Sequence, residues 1–324
     1  MHFGEFYSKY SISLTGQQSI VVQTINGPNL ILAVPGSGKT TVLTYRLGFM
    51  VLGQGIKPEN ILAITFTTAA CNEMKDRLKK FFNDDFGERI DIRTINSLGL
   101  KIVQNKTRYT VKTADEEKTR EIIADVLKEN GIAPYIDTIK KFENAISCIK
   151  SRLDQDFMFQ EVIREKNLGE NFKVIFDSYN LKLRENNLVD FNDQNSKALE
   201  FLQKNPHIVR EYKKQYQYIC VDEAQDTNQV QYELIKILAG KDPNLFMVGD
   251  EDQSIYGFNG AYPELLLSFD KDFPSAKILK LEQNFRSTPQ IVEKAKFFID
   301  GTEEEIKRTC FRKGKTEPPS RKLT

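Results

Sequence analysis

Histidine is nearly missing from this chain of 324 residues: only His2 and His207 occur, which leaves no basis for a histidine-built metal centre or catalytic triad. Cysteine is sparse too. Cys71, Cys148, Cys220 and Cys310 stand far apart, without the close pairs that hold zinc, and this suits reduced thiols in a reducing compartment. Net charge is almost absent, with 46 Lys and Arg against 45 Asp and Glu, so no global basic field announces a polyanion partner. Any nucleic-acid site has to be local. No apolar run is long enough to span a bilayer, and Met1 to Tyr10 lacks the basic-then-apolar pattern of a secretion signal. No membrane contact and a cytoplasmic location are therefore expected. What is present is 40% hydrophobic residues, enough for a sizeable core, over a length that suits about two domains.

The chain is organised around Ala33-Val34-Pro35-Gly36-Ser37-Gly38-Lys39-Thr40, with Thr41 behind it. An apolar run from Leu30 to Val34 precedes this stretch and reads as a buried strand. The periodic residues Val42, Leu43, Leu47, Met50 and Val51 follow it and read as a helix. Strand, glycine loop and helix together make a phosphate seat: closely spaced backbone N–H groups and the positive helix end face the anion, Lys39 reaches its outer oxygens, and the Thr40 hydroxyl can ligate magnesium. Ala33 stands where the strict pattern has its first Gly.

Further strands recur, each ending in polar groups. Asn60 to Thr68 reads as a second buried strand closing on hydroxyls and Phe66, a ring whose type alone suits the core; the helix Ala69 to Phe82 follows, and Ile90 to Asn96 suggests a short third strand. From about Thr107 to Asn205 the texture changes to charged helical segments with no convincing strand, which predicts a helical insertion whose charge runs are solvated faces; the acids of Val189-Asp190-Phe191-Asn192-Asp193 suit a helix cap as well as chemistry. The sheet pattern returns at Tyr218 to Asp226. Two adjacent acids at a strand end are what a phosphate-loop hydrolase needs opposite its loop, Asp222 to hold hydrated magnesium and Glu223 to orient or deprotonate the attacking water. Another strand, Leu245 to Asp250, leads into a Gly-rich loop with Gln253, Tyr256 and Phe258. The Gln253 amide suits a sensor of the terminal phosphate, while the two rings suit base stacking and core packing equally.

In order, AVPGSGKTT, ITFTTAACNEM, VDEAQDTNQVQYE, MVGDEDQSIYGFNGA and LEQNFRSTPQIV resemble the successive motifs of the UvrD/Rep family of superfamily 1 DNA helicases, over Leu14 to about Val292 apart from the insertion. The resemblance implies an α/β fold: a RecA-like P-loop NTPase domain with a parallel sheet (1–98 and 206–280), an inserted helical subdomain (99–205), and the start of a second RecA-like domain (281–324). It implies ATP and Mg2+ as cofactors, with Pro35, Gly36, Ser37, Gly38, Lys39, Thr40 and Thr41 around the nucleotide. Gln18, whose amide matches a purine edge although a surface glutamine is commoner, would recognise adenine. Arg77 would approach the phosphates, Phe285 would stack on the base, Arg286 would be an arginine finger, and Gln253 would couple the γ-phosphate to DNA. Single-stranded DNA would cross Phe66, Thr67, Asn96, Tyr256 and Phe258.

Departures from the family pattern refine these expectations. Thr41 replaces an Arg that faces the adenine in many members; Asn96 stands in place of His, and Phe258 and Asn259 in place of Trp and Arg, which lowers the expected salt dependence of DNA binding. Ala69 stands where Lys is usual. Beyond Arg286 the later family motifs have no counterpart, and most of the second motor domain is expected to be missing. Two readings follow: an ATP-driven 3′-to-5′ translocase or helicase on single-stranded DNA, of the kind used in DNA repair, for which the chain would be a fragment of a longer protein or would be completed by a partner protein; and a non-motor module that binds ATP and DNA with little or no hydrolysis.

Overall fold

The computed structural model describes residues 1–106, 112–166, 168–169, 171–250 and 264–295. Gln253, Tyr256 and Phe258 lie outside the described residues. Short runs rich in Ile, Leu and Val, each closed by a turn, become the strands. They are β1 (Asn29–Ala33), β2 (Ile61–Thr65), β3 (Asp91–Thr94), the two-residue β4 (Lys112–Thr113) and β5 (Leu188–Val189), β6 (Tyr218–Val221), β7 (Asn244–Gly249) and β8 (Lys277–Leu281).

Six of them form one parallel sheet in the order β3-β2-β6-β7-β1-β8. Its four central strands, β2, β6, β7 and β1, are buried on both faces and alternate between two cores. Ile31, Ala63, Cys220, Phe246 and Val248 pack on one side with Val22, Leu43, Leu47 and Met74. Leu30, Leu62, Ile219, Val221, Leu245 and Met247 pack on the other with Leu98, Leu234 and Phe269. A sheet covered on both faces by crossover helices is the expected outcome of strands joined in parallel. Strand β8 was not anticipated from the sequence. It adds to the edge of β1, with Leu30 facing Ile278 in register, and Val34 N–H extends the ladder to the Leu281 carbonyl at 3.0 Å.

The segment between β3 and β6 builds a separate helical body with its own core. Ile122, Val126, Phe142, Ile149, Phe172, Phe176 and Tyr179 fill it. The helix Asp193–Lys204 departs from this body: its Ala198 and Leu202 pack with Leu98 and Ile102 in the core beneath the sheet. The strands expected to be absent here reduce to the β4–β5 pair. Where the chain leaves the helical body, Lys150 Nζ is buried 2.6 Å from Asp190 and 2.9 Å from Asp193, and the Tyr179 hydroxyl donates to Asp190 at 3.0 Å. The Asp193 N–H, at the start of the helix Asp193–Lys204, donates to Asp190 Oδ1 at 2.8 Å, while the N-cap residue Asn192 makes no side-chain capping bond. The acidic pair also closes a buried ion cluster, and burial, then the Asp190 charge, pushes the Tyr179 phenol's pKa well up.

Candidate functional site

Three neighbouring strands, β6, β7 and β1, end on the same edge of the sheet, and their C-terminal ends bring the candidate residues together. After β1 the chain turns through Gly36 (φ 73°) and Gly38 (φ 85°), left-handed conformations that glycine adopts without strain, and the helix Lys39–Gly48 begins at once. The loop closes with Ser37 N–H donating to the Val34 carbonyl at 3.1 Å. Lys39 is buried, its Nζ 3.7 Å from Glu223 Oε2 and 3.7 Å from Asp250 Oδ2. Thr40 Oγ donates to Asp222 Oδ2 at 3.4 Å.

The two acids are held differently. Asp222 continues β6, its N–H donating to the Ile64 carbonyl at 2.9 Å. Burial, then the neighbouring Glu223 charge, pushes its carboxyl up to about 7. Glu223 sits at φ 51°, a left-handed backbone that costs a non-glycine residue about 1–2 kcal/mol and turns its side chain toward Lys39. Gln225 Nε2 donates to Glu223 Oε2 at 2.8 Å, while Gln225 Oε1 accepts the Asp250 N–H at 3.0 Å. This amide ties the ends of β6 and β7 together. Asp226, just beyond, is raised to about 6 by burial and by Glu223.

Gln18 lies against the loop, its Nε2 donating to the Ser37 carbonyl at 2.9 Å and its Oε1 accepting the Thr15 N–H at 3.0 Å. Its helix, Gly16–Gln23, is held from below by the buried Arg46 guanidinium, which donates to the carbonyls of Val21, Thr24 and Ile25 and stacks 4.2 Å over the Phe246 ring. Arg77 Nη1 donates to Thr41 Oγ1 at 3.5 Å while its other nitrogens pair with Glu73. The segment after β8 also returns to the loop. Phe285 N–H donates to the Gly36 carbonyl at 2.9 Å, and a β-carbon on Gly36 would stand 2.8 Å from Cβ of Arg286 and from Oδ1 of Asn284. Phe285 and Arg286 themselves are exposed. Pro35 lies in the same turn.

The residues expected to meet a nucleic acid gather elsewhere. A cavity of about 780 Å³ opens between the ends of β2 and β3 and the helical body. Phe66 (53% exposed), Thr67 and Asn96 line it on the sheet side, and Phe191 (63% exposed), Thr119, Ser147 and Tyr179 on the helical side. Asp226 reaches the same cavity, so the acidic turn borders both places. Asn96 differs from the other two sheet-side residues in being buried, with both ends of its amide bonded inside the protein. Sequence reasoning missed Asp250, Gln225, Arg46 and Phe191. Only Phe191, an aromatic ring between acids and amides, carried a local signal.

Comparison with known proteins follows the same outline. Residues 14–274 match the model of the UvrD/REP helicase N-terminal domain. The chain is similar to the ATP-dependent DNA helicase PcrA of Staphylococcus aureus, 37% identical over 295 residues, which is 89% of this chain and 40% of that protein. Its likeness to the protein of the same name from Staphylococcus epidermidis is 36% over 290 residues, 87% of this chain and 39% of that protein. The chain thus spans about 40% of the length of these relatives.

Proposed function

Because the chain belongs to the UvrD/Rep helicase family, we propose that it carries the Mg-ATP site and part of the DNA track of an ATP-dependent translocase or helicase acting on single-stranded DNA. The observation that carries this reading is the meeting of Lys39 and Thr40, on the helix start that follows β1 and the glycine loop, with Asp222 and Glu223 beyond the end of β6. The loop fits a phosphate group on its own evidence: Ser37 Oγ is 1% exposed and lacks a hydrogen-bond partner, so the cradle holds an unsatisfied polar atom. Asp222, raised toward neutrality by burial, fits a cation in the same way, since a positive charge beside it restores the ionised form.

Mg-ATP, when bound, supplies the phosphoryl group whose hydrolysis releases free energy for movement. Thr40 and Asp222 would hold the magnesium, and Lys39 would neutralise charge on the outer phosphates. Glu223 would take the proton of the attacking water; Gln225 fixes the orientation of that carboxylate. Gln18 and Phe285 would hold the adenine, with Pro35, Gly36, Ser37, Gly38, Thr41 and Arg77 around the phosphates. Arg286, on the segment tied to Gly36, would stabilise charge in the transition state, and Gln253 would report the γ-phosphate. Phe66, Thr67, Tyr256 and Phe258 remain proposed contacts of the strand, joined by Phe191 across the cavity; Asn96, expected among them, is buried with both ends of its amide bonded inside the protein and is not carried over as a contact. In this reading residues 1–98 and 206–280 form the ATP-binding domain, 99–205 the helical insertion, and 281–324 the start of a second RecA-like domain; movement runs 3′ to 5′.

Steady-state ATP hydrolysis with and without single-stranded DNA, with Lys39→Ala as the blank, tests the proposal. Turnover above the blank that rises with DNA supports a translocase site. Nucleotide binding without turnover supports a binding module, and Lys39→Ala with unchanged nucleotide affinity overturns the site itself.

A further inference from the structure

Asn96 is 5% exposed, and its side chain is committed within the protein. Its amide nitrogen donates to the Phe191 carbonyl at 2.7 Å, and its amide oxygen accepts from Gln231 Nε2 at 3.2 Å. Gln231 Oε1 in turn accepts the backbone N–H of Asn228 at 3.0 Å. Both ends of this row fix its direction. A backbone carbonyl can only accept and a backbone N–H can only donate, so each of the two side-chain amides has a single allowed orientation. Amides aligned head to tail polarise one another, which makes the row stiffer than its separate bonds.

The row joins three places that the chain keeps far apart. Asn228 follows the turn Ala224–Asp226, which hangs directly from Asp222 and Glu223 at the nucleotide site. Asn96 lies at the end of β3, beneath the cavity. Phe191 belongs to the connection leaving the helical body, and its ring is exposed on the cavity rim. Two further bonds seat the same helix end, Gln229–Ala239, on that body: Val230 N–H donates to the Ser151 carbonyl at 3.3 Å, and Gln229 Oε1 accepts the Leu153 N–H at 3.0 Å.

We infer that Asn96 and Gln231 are positioning residues: through a directed row of amides they tie the acidic turn of the nucleotide site to the Phe191 ring in the DNA cleft, and neither touches the strand. The inference rests on the proposal that the cavity takes single-stranded DNA, in that Phe191 is the ring they place. A shift of the turn is transmitted to Phe191 because no member of the row can rotate without facing two acceptors or two donors together.

Gln231→Glu isolates the row. The carboxylate still accepts the Asn228 N–H, so the helix cap survives, but an acceptor replaces the donor facing Asn96. The chain contains no Trp, so Phe191→Trp supplies a single indole reporter at the cleft. Two assays are run on the full 324-residue chain, anisotropy of a labelled oligo(dT) and acrylamide quenching of the reporter without any ligand, with melting temperature as the control. Gln231→Glu should raise reporter quenching and weaken oligo(dT) binding about as much as Phe191→Ala does, roughly tenfold for one lost stack. Combined with Phe191→Ala it should cause no further loss, because the two act as one unit. Asn96→Ala should do the same, with a melting temperature close to that of the unaltered chain. Unaltered quenching in both variants, or losses that add in the double variant, overturn the inference. Failure of the unaltered chain to bind oligo(dT) overturns the DNA reading instead, and the ligand-free quenching still decides whether the row holds Phe191.

Discussion

Replacing Asp222 by Asn should make the nucleotide-free protein more stable at pH 8 while abolishing magnesium-dependent nucleotide binding. The carboxyl is buried beside Glu223, with Thr40 and the Glu223 N–H as hydrogen-bond partners and Lys39 farther off, and its pKa rises to about 7 from the ordinary 3.8. The sign follows from proton counting. A carboxyl that binds its proton more tightly when folded makes stability fall as pH rises from about 4 to 7, because over that window the unfolded chain has already lost the proton that the folded chain keeps. Above pH 7 the penalty is complete. At 1.36 kcal/mol per unit, the full difference is about 4 kcal/mol at pH 8 and shrinks to about 2 kcal/mol at pH 5. The neutral amide of Asn escapes that penalty and still offers an oxygen to Thr40. Melting temperatures of both forms across pH 5–8, by circular dichroism, measure it: the advantage of Asp222→Asn should amount to several degrees at pH 8 and diminish steadily toward pH 5. An advantage that does not change with pH, or a variant less stable than the unaltered chain at pH 8, refutes the reasoning.

Two other substitutions separate chemistry from architecture. Glu223→Gln keeps an oxygen for Gln225 Nε2 but removes the base, so binding of an ATP analogue should persist while any turnover falls by about 10²–10⁴; full turnover in a coupled ATPase assay would exclude Glu223 as the base. Gly36→Ala demands a left-handed backbone of alanine and drives its methyl to 2.8 Å from Asn284 and Arg286, so nucleotide affinity measured by titration calorimetry should drop roughly 5- to 30-fold, from a cost of about 1–2 kcal/mol for the backbone alone.

Local signals carried the phosphate loop and the acids. Gly36, Gly38, Lys39 and Thr40 lie within one turn, and Asp222-Glu223 closes an apolar run, so a short window contains the whole pattern. Strand β8 was missed because it is an edge: Lys277, Ile278 and Lys280 face outward, which blurs the apolar alternation that marks a strand. Asp250 was read only as a strand end, since its closeness to Lys39 depends on β7 lying between β6 and β1, a sheet order that no window contains. Arg46 carries no local signal, because the carbonyls that receive it, of Val21, Thr24 and Ile25, belong to the end of another helix. Asn96 shows the reverse error of emphasis. Its place in a motif pointed outward to a ligand, and only the positions of Phe191 and Gln231 reveal that its amide is used inside the protein.

Two buried lysines in this chain differ in a way that separates a structural group from a poised one. Lys150 Nζ stands 2.6 and 2.9 Å from Asp190 and Asp193, within hydrogen-bonding distance of both, and these contacts hold the exit of the helical body closed. Lys39 Nζ stands 3.7 Å from each of Glu223 and Asp250, near enough for attraction but beyond hydrogen-bonding distance. Its charge is compensated, so burial is tolerable, yet neither carboxylate takes up its donors. A phosphate oxygen arriving in the loop can therefore receive those N–H groups without first breaking a short pair, and the attraction lost to the carboxylates is modest. The same lysine drawn in to 2.8 Å by one acid would have to exchange one charge-assisted bond for another, with little net gain. Strand order brings the two acids in from different strands: β7, next to β1, leads to Asp250, and β6, one strand farther, leads to Glu223, so the charge of Lys39 is compensated from two strands at once. The order of strands thus contributes directly to the readiness of the site.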